Sequence, residues 1–117
     1  MNEYQNDTQR PWGYYEILSS EPTHKVKRIT VYPGKRTSLQ RHRHRAEHWL
    51  ILTGEARLVI GLNEVEVASG ASVDIPLGAI HRITNTCGED VVLIEVQTGT
   101  YFGEDDIERL EDDFGRR

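Results

Sequence analysis

The stretch GKRTSLQRHRHRAEHWLILTG, residues 34–54, decides how this chain is read. Between two glycines it crowds Gln40, His42, His44, Glu47 and His48 together, then runs into the apolar Trp49-Leu50-Ile51-Leu52. Side chains alternate along a strand, so Gln40, His42 and His44 share one face and Arg41, Arg43 and Arg45 the other. An inward row of polar groups is expensive to bury unless something coordinates it. The same residues also suit an exposed edge strand rich in arginine and histidine, and this stretch alone leaves both readings open.

A second stretch, GASVDIPLGAIHRITN, residues 70–85, favours the buried reading. Pro76 and Gly78 make a tight turn immediately before a β-like run. That turn aims His81 from the start of the run. Asn85 suits the next turn, where its side chain can bond the backbone.

Working outward, short β-like runs occupy residues 14–18, 26–32, 37–43, 48–53, 56–60, 64–68, 72–75, 80–85 and 91–98, with Gly, Pro or Asn between them. Strands at this spacing imply an all-β sandwich or barrel. Only residues 104–110 read as helical, with acids in the first turn and Ile107 and Leu110 on one face. Residues 1–9 form a polar arm, and residues 10–117 make one domain. With 28% charged and 37% hydrophobic residues the chain is globular. Its net charge of −5 is concentrated in the acidic tail, and no basic run points to nucleic acid. No stretch reaches the length of a membrane span, and residues 1–20 hold no apolar run that would serve as a leader. The lone Cys87 excludes an intrachain disulfide, and a reducing cytoplasm is expected.

The two stretches together resemble the paired motifs of the cupin superfamily. The second reads G-x5-P-x-G-x2-H-x3-N from Gly70 to Asn85 and matches completely. The first, G-x5-H-x-H-x(3 or 4)-E-x6-G, does not fit with its histidines on His42 and His44. It fits in all three spacings with Gln40 and His42, followed by Glu47 and Gly54, so Gln40 stands where most relatives have His. The resemblance implies a cupin barrel, a double-stranded β-helix of jelly-roll type, holding one divalent metal on Gln40, His42, Glu47 and His81. His44 is the rival ligand. Two nitrogens and two oxygens suit Zn²⁺ first, with Mn²⁺, Co²⁺, Ni²⁺ or Fe²⁺ as alternatives.

Residues 38–49, SLQRHRHRAEHW, are similar to the signature of the type II mannose-6-phosphate isomerase domain, which usually ends bifunctional mannose-1-phosphate guanylyltransferases. Arg10-Pro11-Trp12-Gly13, the run 26–31 with Pro33-Gly34, and the segments 95–99 and 103–107 extend the likeness over most of the chain. No Gly-rich phosphate loop is seen, so guanylyl transfer is not expected of these residues. The resemblance implies interconversion of mannose 6-phosphate and fructose 6-phosphate through a cis-enediolate. His44 is then the candidate base or a supporting histidine. Arg45 is the candidate for the enediolate or the phosphate, because the turn between His42 and Glu47 can bring it to the pocket despite its outward parity. Lys27 is a candidate for the phosphate. Trp12 and Trp49 are expected in the core, and Arg36, Arg41, Arg43 and Arg82 on solvated faces. A non-catalytic cupin that binds metal and a sugar or sugar phosphate is the alternative, and an iron dioxygenase the third reading. A homodimer is expected by the same resemblance.

Overall fold

The computed structural model describes residues 8–115. Eleven strands form two antiparallel sheets among these residues: β1 (Gln9–Arg10), β2 (Gly13–Glu21), β3 (His24–Val31), β4 (Leu39–His42), β5 (Arg45–Thr53), β6 (Glu55–Ile60), β7 (Asn63–Ala68), β8 (Ser72–Ile75), β9 (His81–Asn85), β10 (Val91–Gly99) and β11 (Ile107–Glu111). The larger sheet runs β1-β2-β3-β10-β5-β8 and the smaller β11-β4-β9-β6-β7. The chain crosses repeatedly between sheets, so neighbours in space are distant in sequence, as in a jelly roll. This is the all-β cupin barrel that the paired motifs imply. Of the polar arm expected over residues 1–9, residues 1–7 lie outside the described residues, and Gln9 already pairs with Tyr14.

Inward positions follow the strand period of two and change character along each strand. On β10, Val91 and Leu93 give way to Glu95 and Gln97; on β5, Ile51 and Trp49 give way to Glu47 and Arg45. On β3, Val31 and Ile29 precede Lys27 inward, and on β9, Ile83 lies beside His81. All of these side chains are buried. One half of the barrel is thus an apolar core with Leu58, Ala56 and Val67, and the other half is polar. The first half drives folding by removing apolar surface from water, and the second is where the fold spends that stability. Trp12 and Trp49 belong to the core cluster, as expected.

The turn before β9 has the expected chemistry. Gly78 takes φ +80°, the Ala79 amide donates to the Pro76 carbonyl at 3.0 Å, and the Gly78 amide donates to the His42 carbonyl at 2.9 Å. The last bond ties the turn to the end of β4, so the strands bearing His42 and His81 are held together. Asn85 closes the following loop: its Nδ2 donates to Val31 and Glu89 carbonyls at 2.9 and 2.7 Å, and its Oδ1 accepts from the Cys87 amide at 2.9 Å. An Asn85→Ala substitution strands buried partners in a fully enclosed site. It is expected to lower stability by about 2–3 kcal/mol, read as a lower urea midpoint at unchanged slope.

Two expectations are corrected. Residues 104–110 are not a helix. Glu104–Asp106 is a single 3₁₀ turn and Ile107–Glu111 is strand β11, which pairs with β4. Seven residues are too few for a helix to stand alone, whereas the open edge of β4 offers a ready ladder. Side chains then alternate: Ile107 and Arg109 line the barrel interior, and Glu108 points out to a bidentate contact with Arg41 at 2.9 and 3.0 Å. Arg82 is not on a solvated face either. It is buried, donating to the Thr37 carbonyl at 2.9 Å and to Glu111 at 2.7 Å, because β11 covers it.

Candidate metal centre

Three buried ligand-type side chains from three strands meet in the polar half of the barrel: His42 at the end of β4, Glu47 on β5 and His81 at the start of β9. His42 Nε2 lies 3.0 Å from Glu47 Oε2, and His81 Nε2 lies 3.7 Å from Glu47 Oε1. His81 donates from Nδ1 to the Ala79 carbonyl at 3.1 Å. A carbonyl only accepts, so this bond places the proton on Nδ1 and leaves a lone pair on Nε2. That lone pair and a carboxylate oxygen face each other with no hydrogen between them. Two electron donors at such spacing fit a cation.

The electrostatics agree. Burial is the main force on His81 and holds its imidazole below its usual pKa, the neutral form a metal needs. Burial also opposes ionisation of Glu47. The His42 hydrogen bond, joined by the electrostatic influence of the two histidines, nevertheless outweighs it and holds the carboxyl well below the usual range. Gln40 lines the same cavity and is the register partner of His81 across β4 and β9.

Around this triad lies a ring of further buried polar groups. Trp49 Nε1 donates to Glu47 at 3.0 Å and to Glu95 at 3.2 Å. Gln97 Nε2 donates to Glu95 at 2.7 Å and to Glu47 at 3.4 Å, while its buried Oε1 has no hydrogen-bond partner among the described residues. These bonds orient Glu47 from behind, as supporting residues of metal ligands do. Burial, and next the negative Glu47, push the Glu95 carboxyl up to about 8, with Lys27 pulling the other way. Lys27 is 7% exposed, with its ammonium 4.2 Å from the centre of the Tyr15 ring. Burial pushes the Lys27 pKa down and Glu95 opposes that shift.

Each sequence candidate can now be placed. Gln40, His42, Glu47, His81, Lys27 and Arg45 all line one cavity. Arg45 is 3% exposed, 3.7 Å from Glu47, and donates to the Gly103 carbonyl at 3.2 Å. His44 is not in that cavity. The chain bends at Arg43-His44 between β4 and β5, which reverses the parity, so Arg45 turns inward and His44 outward. The His44 side chain is 56% exposed and bonded through Nδ1 to Asp106 Oδ1 at 2.8 Å. Asp106 also accepts from the amides of Arg43 and His44, at 3.1 and 3.0 Å, and so fixes the bend. Glu95, Gln97, Tyr15 and Arg109 line the cavity without having been singled out in the sequence. The signal for the first two was present: they continue the inward period of Val91 and Leu93 with polar residues.

Fold and site together define a cupin with a candidate metal site. The chain belongs to the family described as Mannose-6-phosphate isomerase C-terminal, whose profile matches residues 1–112. It is 48% identical over 107 residues to the xanthan biosynthesis protein XanB of Xanthomonas campestris pv. campestris, covering 92% of this chain and 23% of that protein. It is 46% identical to the alginate biosynthesis protein AlgA of Pseudomonas aeruginosa and 45% identical to the mannose-1-phosphate guanylyltransferase ManC of Salmonella typhimurium. Each match covers 92% of this chain and 22% of the relative. The chain therefore spans less than a quarter of the length of these relatives. Among solved structures, a Klebsiella pneumoniae protein with a double-stranded β-helix domain superposes with TM-score 0.76 at 18% identity, over 92% of this chain and 94% of that one. Bacillus subtilis oxalate decarboxylase, studied for its Mn(II) centres, superposes with TM-score 0.76 at 20% identity, over 86% of this chain and 29% of that one. Both likenesses concern the fold. No helix among the described residues is long and apolar enough to cross a membrane.

Proposed function

We propose that this domain is a divalent-metal-dependent aldose–ketose isomerase that interconverts mannose 6-phosphate and fructose 6-phosphate. The observation that supports it best is the convergence of His42, Glu47 and His81 in a cavity that also holds the buried Arg45 and Lys27. Family membership supports the same reading.

Gln40, His42, Glu47 and His81 would hold the metal, zinc being the first to test, with manganese, cobalt, nickel and iron after it. When bound, it supplies a Lewis acid for the oxygens of an enediolate. The protein's own groups do the rest. Arg45 presents a fixed guanidinium beside Glu47 for negative charge that develops during the reaction. Lys27 meets the substrate's oxygens from β3. His44 lies outside the cavity, and Glu47 is committed to the metal. Glu95 is then the cavity carboxylate placed to move a proton between C1 and C2. The barrel walls exclude water from the intermediate.

The deciding experiment is a coupled isomerase assay after chelation, with each divalent metal restored in turn. Turnover that returns with metal is expected. Protein that binds metal and sugar phosphate without turnover would instead be a non-catalytic binding cupin. In the active protein, Arg45→Ala should lower kcat by about 100-fold with a smaller change in KM, since the charge it meets appears after binding. An unchanged kcat removes Arg45 from the chemistry.

A further inference from the structure

The geometry points to Arg109 on β11, with Arg10 on β1, as the grip for the phosphate end of the substrate. The assignment rests on the phosphohexose reading above and names the residues that would select a phosphorylated sugar.

The cavity lining is cationic although the chain is anionic. Four cationic side chains, Arg10, Lys27, Arg45 and Arg109, face it against two carboxylates, Glu47 and Glu95. The whole chain has net charge −5. A pocket of opposite sign to its protein selects an anion. The four cations differ in depth and surroundings. Arg45 and Lys27 are 3% and 7% exposed, and both lie within the electrostatic reach of Glu47 and Glu95. Arg10 and Arg109 are half-buried on edge strands, β1 ending the larger sheet and β11 the smaller.

Register gives the distance from the metal ligands. Arg109 pairs with Gln40, and Gln40 pairs with His81, so the three stand in one row across β11, β4 and β9. Two strand spacings separate the Arg109 and His81 backbones, about 10 Å. A hexose 6-phosphate carries its C1–C2 oxygens and its phosphate at opposite ends. With the first end at His42, Glu47 and His81, the second extends along this row toward the edge strand. Arginine matches phosphate with paired N–H donors, which lysine cannot do. Arg10 already directs Nη2 at the Tyr15 hydroxyl, 3.2 Å away, and its guanidinium stacks 5.0 Å over that ring, which holds the fork in a fixed plane at the other edge.

The test uses calorimetric titration of fructose 6-phosphate, unphosphorylated fructose and inorganic phosphate into the whole chain loaded with metal. Arg109→Ala is expected to weaken fructose 6-phosphate and inorganic phosphate by about 10- to 100-fold, with fructose and metal affinity unchanged. Arg109→Lys should recover only part of the loss, and Arg10→Ala should weaken the same two ligands. Arg57→Ala, which removes an exposed arginine bonded to Glu66, controls for net charge. Unchanged fructose 6-phosphate affinity in Arg109→Ala overturns the assignment, as does an equal loss for fructose, or a wild-type protein with no affinity for either phosphate. If the wild type binds the phosphate ester through Arg109 but never isomerises it, the grip stands and the isomerase reading falls.

Discussion

A His81→Ala protein is expected to lose metal affinity by more than about 100-fold and, with it, nearly all turnover. Even a residue that only supports a metal ligand is worth roughly 10- to 100-fold in affinity, so a direct ligand is worth more. His81 is 2% exposed, its Nδ1 bond to Ala79 presets the tautomer, and its Nε2 faces Glu47. Among the described residues no further histidine lines the cavity to replace it, because His44 is turned to the outside. The effect can be read without any activity assay. Metal that binds only the folded state raises stability by about 2.7 kcal/mol at one hundred times its dissociation constant. Wild-type protein should therefore melt higher with metal than with chelator, and His81→Ala should melt at the same temperature in both. A variant that still gains stability from metal would show that His81 is not a ligand.

A large stability effect is expected at a residue with no side chain. Gly99 ends β10 opposite Arg45, with φ +149°. A Cβ added there would stand 2.1 Å from the His44 carbonyl oxygen and 2.8 Å from the Arg45 Cα. Both obstacles are backbone, so relief requires β10 to move away from the bend that presents Arg45. Gly99→Ala should cost about 3 kcal/mol or more. Gly61→Ala is the fitting comparison. Its φ of +60° imposes left-handed strain, but nothing lies within 4 Å of the added carbon, and a loss of about 1 kcal/mol is expected. Equal urea midpoints for the two variants would mean that the strand end yields freely.

What could be read in advance depended on whether a residue's environment was set locally or across the barrel. The paired cupin spacing was legible in the two glycine-bounded stretches, and the register it chose has Gln40 lining the cavity, where His44 does not reach. The strand runs were legible through their turn residues. Residues 104–110 misled because Ile107 and Leu110 fit a helical face equally well, while the edge of β4 that captures them lies far back in the sequence. His44 misled because parity was counted through a bend that Asp106 imposes from sixty residues away. Glu95 and Gln97 continue the inward period of Val91 and Leu93, but the outward residues Val92, Ile94 and Val96 are also apolar and half-buried, which blurred that signal.

The pairing of β11 with β4 also bears on how the protein comes to be folded. Ile107 meets His42 and Arg109 meets Gln40 across more than half the chain. Contacts of such separation demand a large loop-closure entropy before they return any stability, and barrels built from them fold slowly. Residues from β3, β4, β5, β9, β10 and β11 all face the cavity. A nascent chain that has formed its apolar half around Leu58, Ile83 and Leu93 still has no complete site. The cavity lining is complete only once β11 has docked, and a folding intermediate lacking β11 would expose the candidate ligands without the arginine that stands beyond them.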